Sequence, residues 1–196
     1  MKHVLLGCLL TTAIAIPAMA ALKEGDKAPT FSAKASLAGK AFDYSLADAL
    51  KKGPVVVYFY PSAFTQGCNI QAHTFSENMD KFKAAGASVI GVSLDSIERL
   101  NDFSADPNYC AGKVAVASDP TGSIAKSFDI SVREAPAGGF PDSRGVKVEH
   151  GFAERVTFIV TPDGKVAATA GGQGVSPVDN VMKSLEVVQH LQHAGH

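Results

Sequence analysis

The chain has 196 residues, 46% of them hydrophobic and 19% charged, which suits one globular domain with a proper core and excludes a disordered or fibrous protein. Its formal net charge is −1, so no broad basic field exists to hold nucleic acid or an anionic membrane surface.

The chain opens on a short basic start, Met1-Lys2-His3, followed by an apolar run over residues 4–16, then Pro17 and the small-x-small pattern Ala18-Met19-Ala20. The run is too short to cross a bilayer as a helix. Its order is that of a cleaved export signal. The expectation is therefore a leader over residues 1–20, one domain over residues 21–196, and a periplasmic or secreted bacterial protein with no membrane attachment after cleavage. A lipobox-like reading of Leu5-Leu6-Gly7-Cys8 leaves almost no apolar segment before its cleavage point and ranks below it. Loss of the leader removes Cys8 and leaves two cysteines, Cys68 and Cys110. An even pair in an exported protein invites a disulfide, structural or catalytic.

Residues 30–44 read as a short hairpin region, followed by a small helix from Ser45 to Lys52 that Gly53-Pro54 stops. Val55 to Tyr60 is a continuous β-branched and aromatic run, the pattern of a strand buried on both faces. Pro61 to Gly67 is a loop, and a helix starts near Cys68. On that helix Cys68, Ala72, Phe75, Met79 and Phe82 recur at helical spacing and form one inward stripe. Gly86 ends it, and Ser88 to Leu94 is the next buried strand. Asp95 with Glu98 has the form of a capping box opening a helix that carries Ile97, Leu100 and Phe103, and Pro107 closes it. Cys110 lies between Pro107 and Gly112.

A strand over Val114–Ala117 and a helix from Thr121 to Phe128 capped by Asp119 come next. Residues 131–152, with glycines, prolines and few apolar runs, read as a long surface loop and the least ordered part of the chain. Arg155–Val160 and Lys165–Ala170 form a hairpin around Pro162-Asp163-Gly164. The last helix starts near Pro177 with Val178, Val181, Met182, Leu185, Val188 and Leu191 on one face. Strand and helix signals alternate throughout, which argues an α/β domain with a largely parallel central sheet.

The chemistry is concentrated in Pro61-Ser62-Ala63-Phe64-Thr65-Gln66-Gly67-Cys68, which leaves a buried strand and enters the first turn of a helix. Ligand sites in open α/β sheets concentrate there. Unpaired backbone N–H groups at a helix start favour an anion, so a cysteine in that turn has its thiolate favoured over its thiol. The alternative is a small buried hydrophobe on the apolar stripe. Spacing alone leaves both open.

Pro61-x-x-x-Thr65-x-x-Cys68 after a VVVYFY strand resembles the active-site signature of the peroxiredoxin family. The similarity runs on through Phe75, Val89–Ser93 with Asp95-Ser96, Ser118-Asp119-Pro120, and Arg155 to Lys165, and is nearest the bacterioferritin-comigratory, or Q-type, subgroup. The resemblance implies a thioredoxin-like fold, a central mixed sheet flanked by helices, and a thiol-dependent peroxidase acting on hydrogen peroxide and organic hydroperoxides. It assigns peroxide attack to Cys68, a fixed charge beside the thiolate to Arg155, a hydroxyl toward the peroxide to Thr65, and a water-limiting wall without an N–H to Pro61. It implies no cofactor and no metal. The partners it implies are a peroxide and a thioredoxin-like or other thiol reductant. Oligomeric state is left open.

Two positions depart from the subgroup: Gln71 stands where many members have Glu, and His73 where many carry the resolving cysteine. Cys110 is then the candidate to resolve the Cys68 sulfenic acid, against the alternative of a structural or free thiol. His190, His193 and His196 read as a frayed terminus before a loose metal site, and Tyr109 as a packing residue. A thiol–disulfide oxidoreductase would need Cys-x-x-Cys, but Gln71 occupies the second position; a copper carrier lacks its second close cysteine. A non-catalytic holdase would not need the Pro61/Thr65/Cys68/Arg155 set.

Overall fold

The structure is a computed structural model that describes residues 21–172 and 174–194. It opens with β1 (Ser32–Leu37), β2 (Lys40–Ser45), α1 (Leu46–Leu50), β3 (Val55–Phe59), α2 (Gln66–Ala84), β4 (Ser88–Ser93) and α3 (Ile97–Ala105). β5 (Ala115–Ser118), α4 (Ser123–Ser127), β6 (Val132–Arg133), β7 (Phe140–Pro141), β8 (Lys147–Val148) and β9 (Phe152–Ala153) follow. The chain then makes β10 (Val156–Val160), β11 (Val166–Gly171) and α5 (Pro177–Ala194).

Seven strands form one mixed sheet in the order β11-β10-β3-β4-β5-β1-β2. Only the β3–β4 and β4–β5 pairs are parallel; β1–β2, β1–β5, β3–β10 and β10–β11 are antiparallel. The largely parallel sheet expected from alternation is thus corrected to a mixed one, as the family resemblance implied. Hairpins β1–β2 and β10–β11 flank the parallel centre, and a tight turn can only join antiparallel strands.

β3 sits between β10 and β4, and all five of its residues are buried. Its continuous apolar run follows from a core on each side. Val55, Val57 and Phe59 pack into one apolar cluster with Leu46, Leu50, Ala125 and Phe128, while Val56 and Tyr58 pack into the other. That second cluster receives the α2 stripe Cys68, Ala72, Phe75, Met79 and Phe82, together with Leu100 and Phe103 of α3 and Val181, Leu185 and Val188 of α5. Truncating a wholly buried ring such as Phe75 to Ala removes about 3–5 kcal/mol. On α5 the buried face is narrower than expected, because Val178 and Met182 stay exposed. The helix continues through His193 to Ala194 rather than fraying, and His196 lies outside the described residues.

Three local expectations change. Ser96, not Asp95, caps α3, accepting from the Arg99 N–H, and Asp95 is buried for another purpose described below. Gly122, not Asp119, is the N-cap of α4, although Asp119 still holds the helix start by accepting from the Ala125 N–H at 2.9 Å. Residues 131–152 are not a loose loop. They fold as paired two-residue strands, β6 with β9 and β7 with β8, and bury Asp142 and Val148. Polar anchors hold this flap: Asp142 accepts from the Arg144 and Val146 N–H groups and pairs with Arg99. Few apolar residues are required when charged hydrogen bonds tie a segment down, so hydrophobic patterning alone misses it.

Candidate active site

β3 ends at Phe59, and the chain turns through Pro61–Thr65 into α2, whose third residue is Cys68. Thr65 is the N-cap residue by position but does not use its side chain as a cap: its hydroxyl donates to the Ser62 carbonyl at 2.8 Å. The amides of the first α2 turn therefore have no side-chain acceptor, which leaves the positive end of a 19-residue helix at the sulfur. Cys68 is 2% exposed, and Arg155 Nη2 donates to its Sγ at 3.3 Å. Arg155 comes from the segment entering β10, the antiparallel neighbour of β3, so sheet pairing carries it to a cysteine 87 residues away in sequence.

Gly67 makes the approach possible. A Cβ there would stand 3.0 Å from Arg155 Nη2, closer than an undisturbed guanidinium tolerates. Pro61 lies in the wall of two neighbouring clefts, one shared with Thr65 and the other with Arg155. The first, about 530 Å³, continues onto the flap residues Arg133, Glu134, Pro136, Phe140 and Phe152. The structure thus brings Cys68, Arg155, Thr65 and Pro61 into one neighbourhood.

The loop carrying these residues is clamped from below. Buried Asp95 accepts from the Ala63 N–H (2.8 Å), Ser62 Oγ (2.8 Å), Ser93 Oγ (2.7 Å) and Arg99 Nε (2.8 Å), and pairs with His150 Nε2 at 2.8 Å. Burial alone would raise the Asp95 carboxyl, but the His150 contact and these donors outweigh it and hold the carboxyl below its usual range. Burial likewise works against the charged His150, yet the bond to Asp95 prevails and lifts the imidazole above its ordinary value. Arg99 also donates to the Ala63 carbonyl at 2.7 Å, and the Ser143 N–H of the flap donates to the Phe64 carbonyl at 2.8 Å. Phe64 itself adopts φ 59°, a left-handed conformation rare for an aromatic residue, and its ring lies under the Arg144 guanidinium at 3.3 Å and against Phe103 and Tyr109. Tyr109 is a packing residue, as expected.

Cys110 lies next to Tyr109 in the turn after α3, fully buried in the same apolar cluster as Cys68. Both thiols are free. Burial, helped by the nearby Asp106 charge, pushes the Cys110 thiol far above its usual range. Burial of this kind favours the neutral thiol over the nucleophilic thiolate.

Sequence reasoning did not find four residues of this neighbourhood. Asp95 has the local form of a cap, and His150 falls in the segment whose composition suggests a loose loop. Asn180 and Thr157 were passed over; both are fully buried and hydrogen-bonded to each other, and Asn180 also to Gln71. A polar residue within a helix's buried stripe or inside a buried strand was the available signal.

Residues 24–169 match the model of the AhpC/TSA family. The chloroplastic 2-Cys peroxiredoxin BAS1 of Arabidopsis thaliana is 29% identical over 179 residues, a match covering 86% of this chain and 60% of that protein. The chain thus spans less than two thirds of that relative's length. Peroxiredoxin Bcp of Escherichia coli is 31% identical over 145 residues, covering 74% of this chain and 83% of Bcp. Among solved structures, peroxidoxin BcpB of Mycobacterium tuberculosis superposes with a TM-score of 0.69 at 25% identity, covering 87% of this chain and 98% of that one. The expectation of a periplasmic or secreted location is withdrawn: the family match begins at residue 24, and the similarity to the bacterial proteins Bcp and BcpB gives that location no support. That expectation rested on the composition of residues 1–20, which lie outside the described residues.

Proposed function

This chain belongs to the AhpC/TSA family, the peroxiredoxins, and on that premise we propose that it is a thiol-dependent peroxidase with Cys68 as the attacking residue. The observation that carries the reading is the Arg155 Nη2–Cys68 Sγ contact of 3.3 Å at the first turn of α2. A guanidinium and a helix start both favour the anion on sulfur and the charge that develops on the peroxide.

The thiolate attacks the terminal oxygen of ROOH. An S–O bond forms, the O–O bond breaks, and RO⁻ leaves and takes a proton to become ROH, with Cys68 left as sulfenic acid. Because the Thr65 hydrogen is already given to Ser62, its oxygen is free to accept from the peroxide O–H. The cleft that runs from Thr65 and Pro61 to Phe140 and Phe152 has room for the substituent of an organic hydroperoxide as well as for hydrogen peroxide. Pro61 walls this cleft without offering a competing donor.

Cys110 is the second thiol of the reaction in this reading. Its thiolate displaces the sulfenic hydroxyl as water and forms the Cys68–Cys110 disulfide, which an external thioredoxin-like or other dithiol then reduces. A neutral thiol sealed among Phe103, Phe64 and Tyr109 cannot do this in place, so the turn around Cys110 and the strained Phe64 loop open first. Openings of this kind come from the low-stability end of a fold.

Stopped-flow measurement of peroxide consumption by the reduced protein tests the proposal. The wild-type protein should consume one equivalent rapidly, and Cys68→Ser none. Full consumption by Cys68→Ser would place the peroxide chemistry at another residue, and a wild-type protein that consumes none would leave a non-catalytic holdase or another thiol chemistry as the explanation of the site.

A further inference from the structure

Behind Arg155, away from the cleft, the structure holds a chain of buried amides that the peroxide chemistry itself does not touch. Arg155 Nη1 donates to Gln71 Oε1, and Gln71 Nε2 donates to Asn180 Oδ1 at 3.0 Å. The same Oδ1 accepts from the Thr157 hydroxyl at 2.7 Å, while Asn180 Nδ2 donates to the Ala170 carbonyl at 3.0 Å. Gln71, Thr157 and Asn180 are all fully buried.

We infer that Asn180 is a positioning residue for the proposed reaction, setting the orientation of the Gln71 amide and through it the placement of Arg155 against Cys68. The inference rests on the peroxidase reading above. Its logic is one of hydrogen-bond polarity. A primary amide can be rotated to exchange its oxygen and nitrogen, and in isolation Gln71 has no reason to prefer either. With Nε2 toward Arg155, two donors would face each other in a dry site, and the guanidinium would shift away. The Ala170 backbone carbonyl can only accept, so it forces Nδ2 of Asn180 toward itself and Oδ1 inward. Oδ1 then accepts from Gln71 Nε2, and Gln71 is left presenting Oε1 to Arg155. The polarity is therefore set at a β11 carbonyl and passed through α5 and α2 to the sulfur.

Glycine at 171 lets this start of the chain approach. A Cβ there would lie 3.0 Å from Asn180 Nδ2 and 2.8 Å from the Arg155 carbonyl. The arrangement also accounts for Gln71 in place of a carboxylate. A glutamate would offer only acceptors, and one of its oxygens would face Asn180 Oδ1. Gln71 and Asn180 form a matched pair in which the amide accepts from the arginine without adding a negative charge behind the thiolate.

The test compares Asn180→Leu, Asn180→Asp and Thr157→Val in the full chain. It measures the second-order rate of Cys68 oxidation by hydrogen peroxide, the pH midpoint of Cys68 alkylation, and the thermal midpoint. Displacing a guanidinium by about 1 Å is enough for a large loss, so Asn180→Leu should oxidise at least ~10-fold more slowly, with its alkylation midpoint moved up. Asn180→Asp restores the pattern, since a protonated carboxyl donates to Ala170 O and accepts from Gln71; its rate should stay within about 3-fold of wild type. Thr157→Val removes one of the two donors on Oδ1 and should show a smaller change in the same direction.

A packing role would lower the thermal midpoint and leave rate and alkylation midpoint unchanged, and that outcome in folded Asn180→Leu overturns the inference. Should Asn180→Leu not fold, unchanged rate and midpoint in Thr157→Val overturn it equally. Peroxide consumption that survives Cys68→Ser would instead overturn the peroxidase reading. The alkylation midpoint tests Arg155 placement without depending on turnover.

Discussion

Two cysteines lie in the same apolar cluster, and their surroundings differ in almost every respect that bears on reactivity. Cys68 stands in the first turn of a long helix and touches Arg155, which together with Pro61 lines a surface cleft. Cys110 stands in a turn after a helix has ended, is fully buried beside aromatic rings, and has its ionisation suppressed by that burial and by Asp106. The same side chain thus meets a positive charge and a helix start in one place, where we propose it as the nucleophile, and only apolar burial in the other. The lesson is that apolar packing does not distinguish them. Helix polarity and one guanidinium do.

The sharpest way to break the contrast is to remove the guanidinium. Arg155→Ala should slow Cys68 oxidation by hydrogen peroxide at least ~10²-fold in single-turnover stopped flow, in line with the loss of a preorganised charge-stabilising donor. Arg155→Lys should recover only part of that, because a point charge does not reproduce the fork that reaches Sγ and Gln71 together.

Gly67→Ala attacks the same contact without touching either partner. The added methyl would press on Arg155 Nη2 at 3.0 Å and touch Pro177 at 3.7 Å. A roughly 10-fold loss of rate is expected in the same assay, with a folded protein by circular dichroism.

Cys110→Ser sharpens the comparison from the other side. The first oxidation should proceed within about 2-fold of the wild-type rate, since Cys110 plays no part until its turn opens. What changes is the product. Peptide mapping of the wild-type monomer after one equivalent of peroxide should yield a Cys68–Cys110 crosslink, and Cys110→Ser should accumulate sulfenic and then sulfinic acid at Cys68. A wild-type protein in which Cys110 is still alkylatable after oxidation would show instead that an external thiol resolves the intermediate.

The smallest effect concerns the clamp beneath the Cys68 loop. His150 is raised, so its contribution is complete below the ordinary imidazole value near ~6.5 and is lost as pH rises through its folded value. Asp95 is lowered, so its contribution is present above the ordinary carboxylate range and is lost as pH falls through its folded value. The clamp is strongest between these limits. Urea midpoints measured at about pH 5.5 and about pH 8.5 should show wild type losing stability at the higher pH by on the order of 1 kcal/mol, and His150→Gln losing little.

The fold was legible where a single periodicity was decisive. The Val55–Phe59 run announced a strand with a core on each face, and the Cys68–Phe82 stripe announced α2, because strands alternate faces and helices repeat near every four residues. The active-site set Pro61, Thr65, Cys68 and Arg155 was legible as a family pattern, and the structure brings those four together. The flap was not legible. Its order depends on the pairing of Asp142 with Arg99 and of His150 with Asp95, residues far apart in sequence, so its glycines and prolines suggest slackness. Asp95 was misread for the same reason: an acidic residue ahead of a helix has the form of a cap until His150 and Arg99 are seen around it.

The sequence by itself determined the main strands and helices, the two-faced central strand and the candidate reactive segment, since each depends on residues close together in the chain. The tertiary structure alone decided which way the sheet's outer strands run, that residues 131–152 form a docked flap, and that a Gln71–Asn180–Thr157 chain stands behind Arg155. It also decided that Cys68 meets a guanidinium while Cys110 does not. The physical reason is that hydrogen-bond polarity and burial belong to neighbours in space. β3–β10 pairing and the packing of α5 on α2 bring those neighbours from 84 to 109 residues away, a range over which no local pattern in the chain can report.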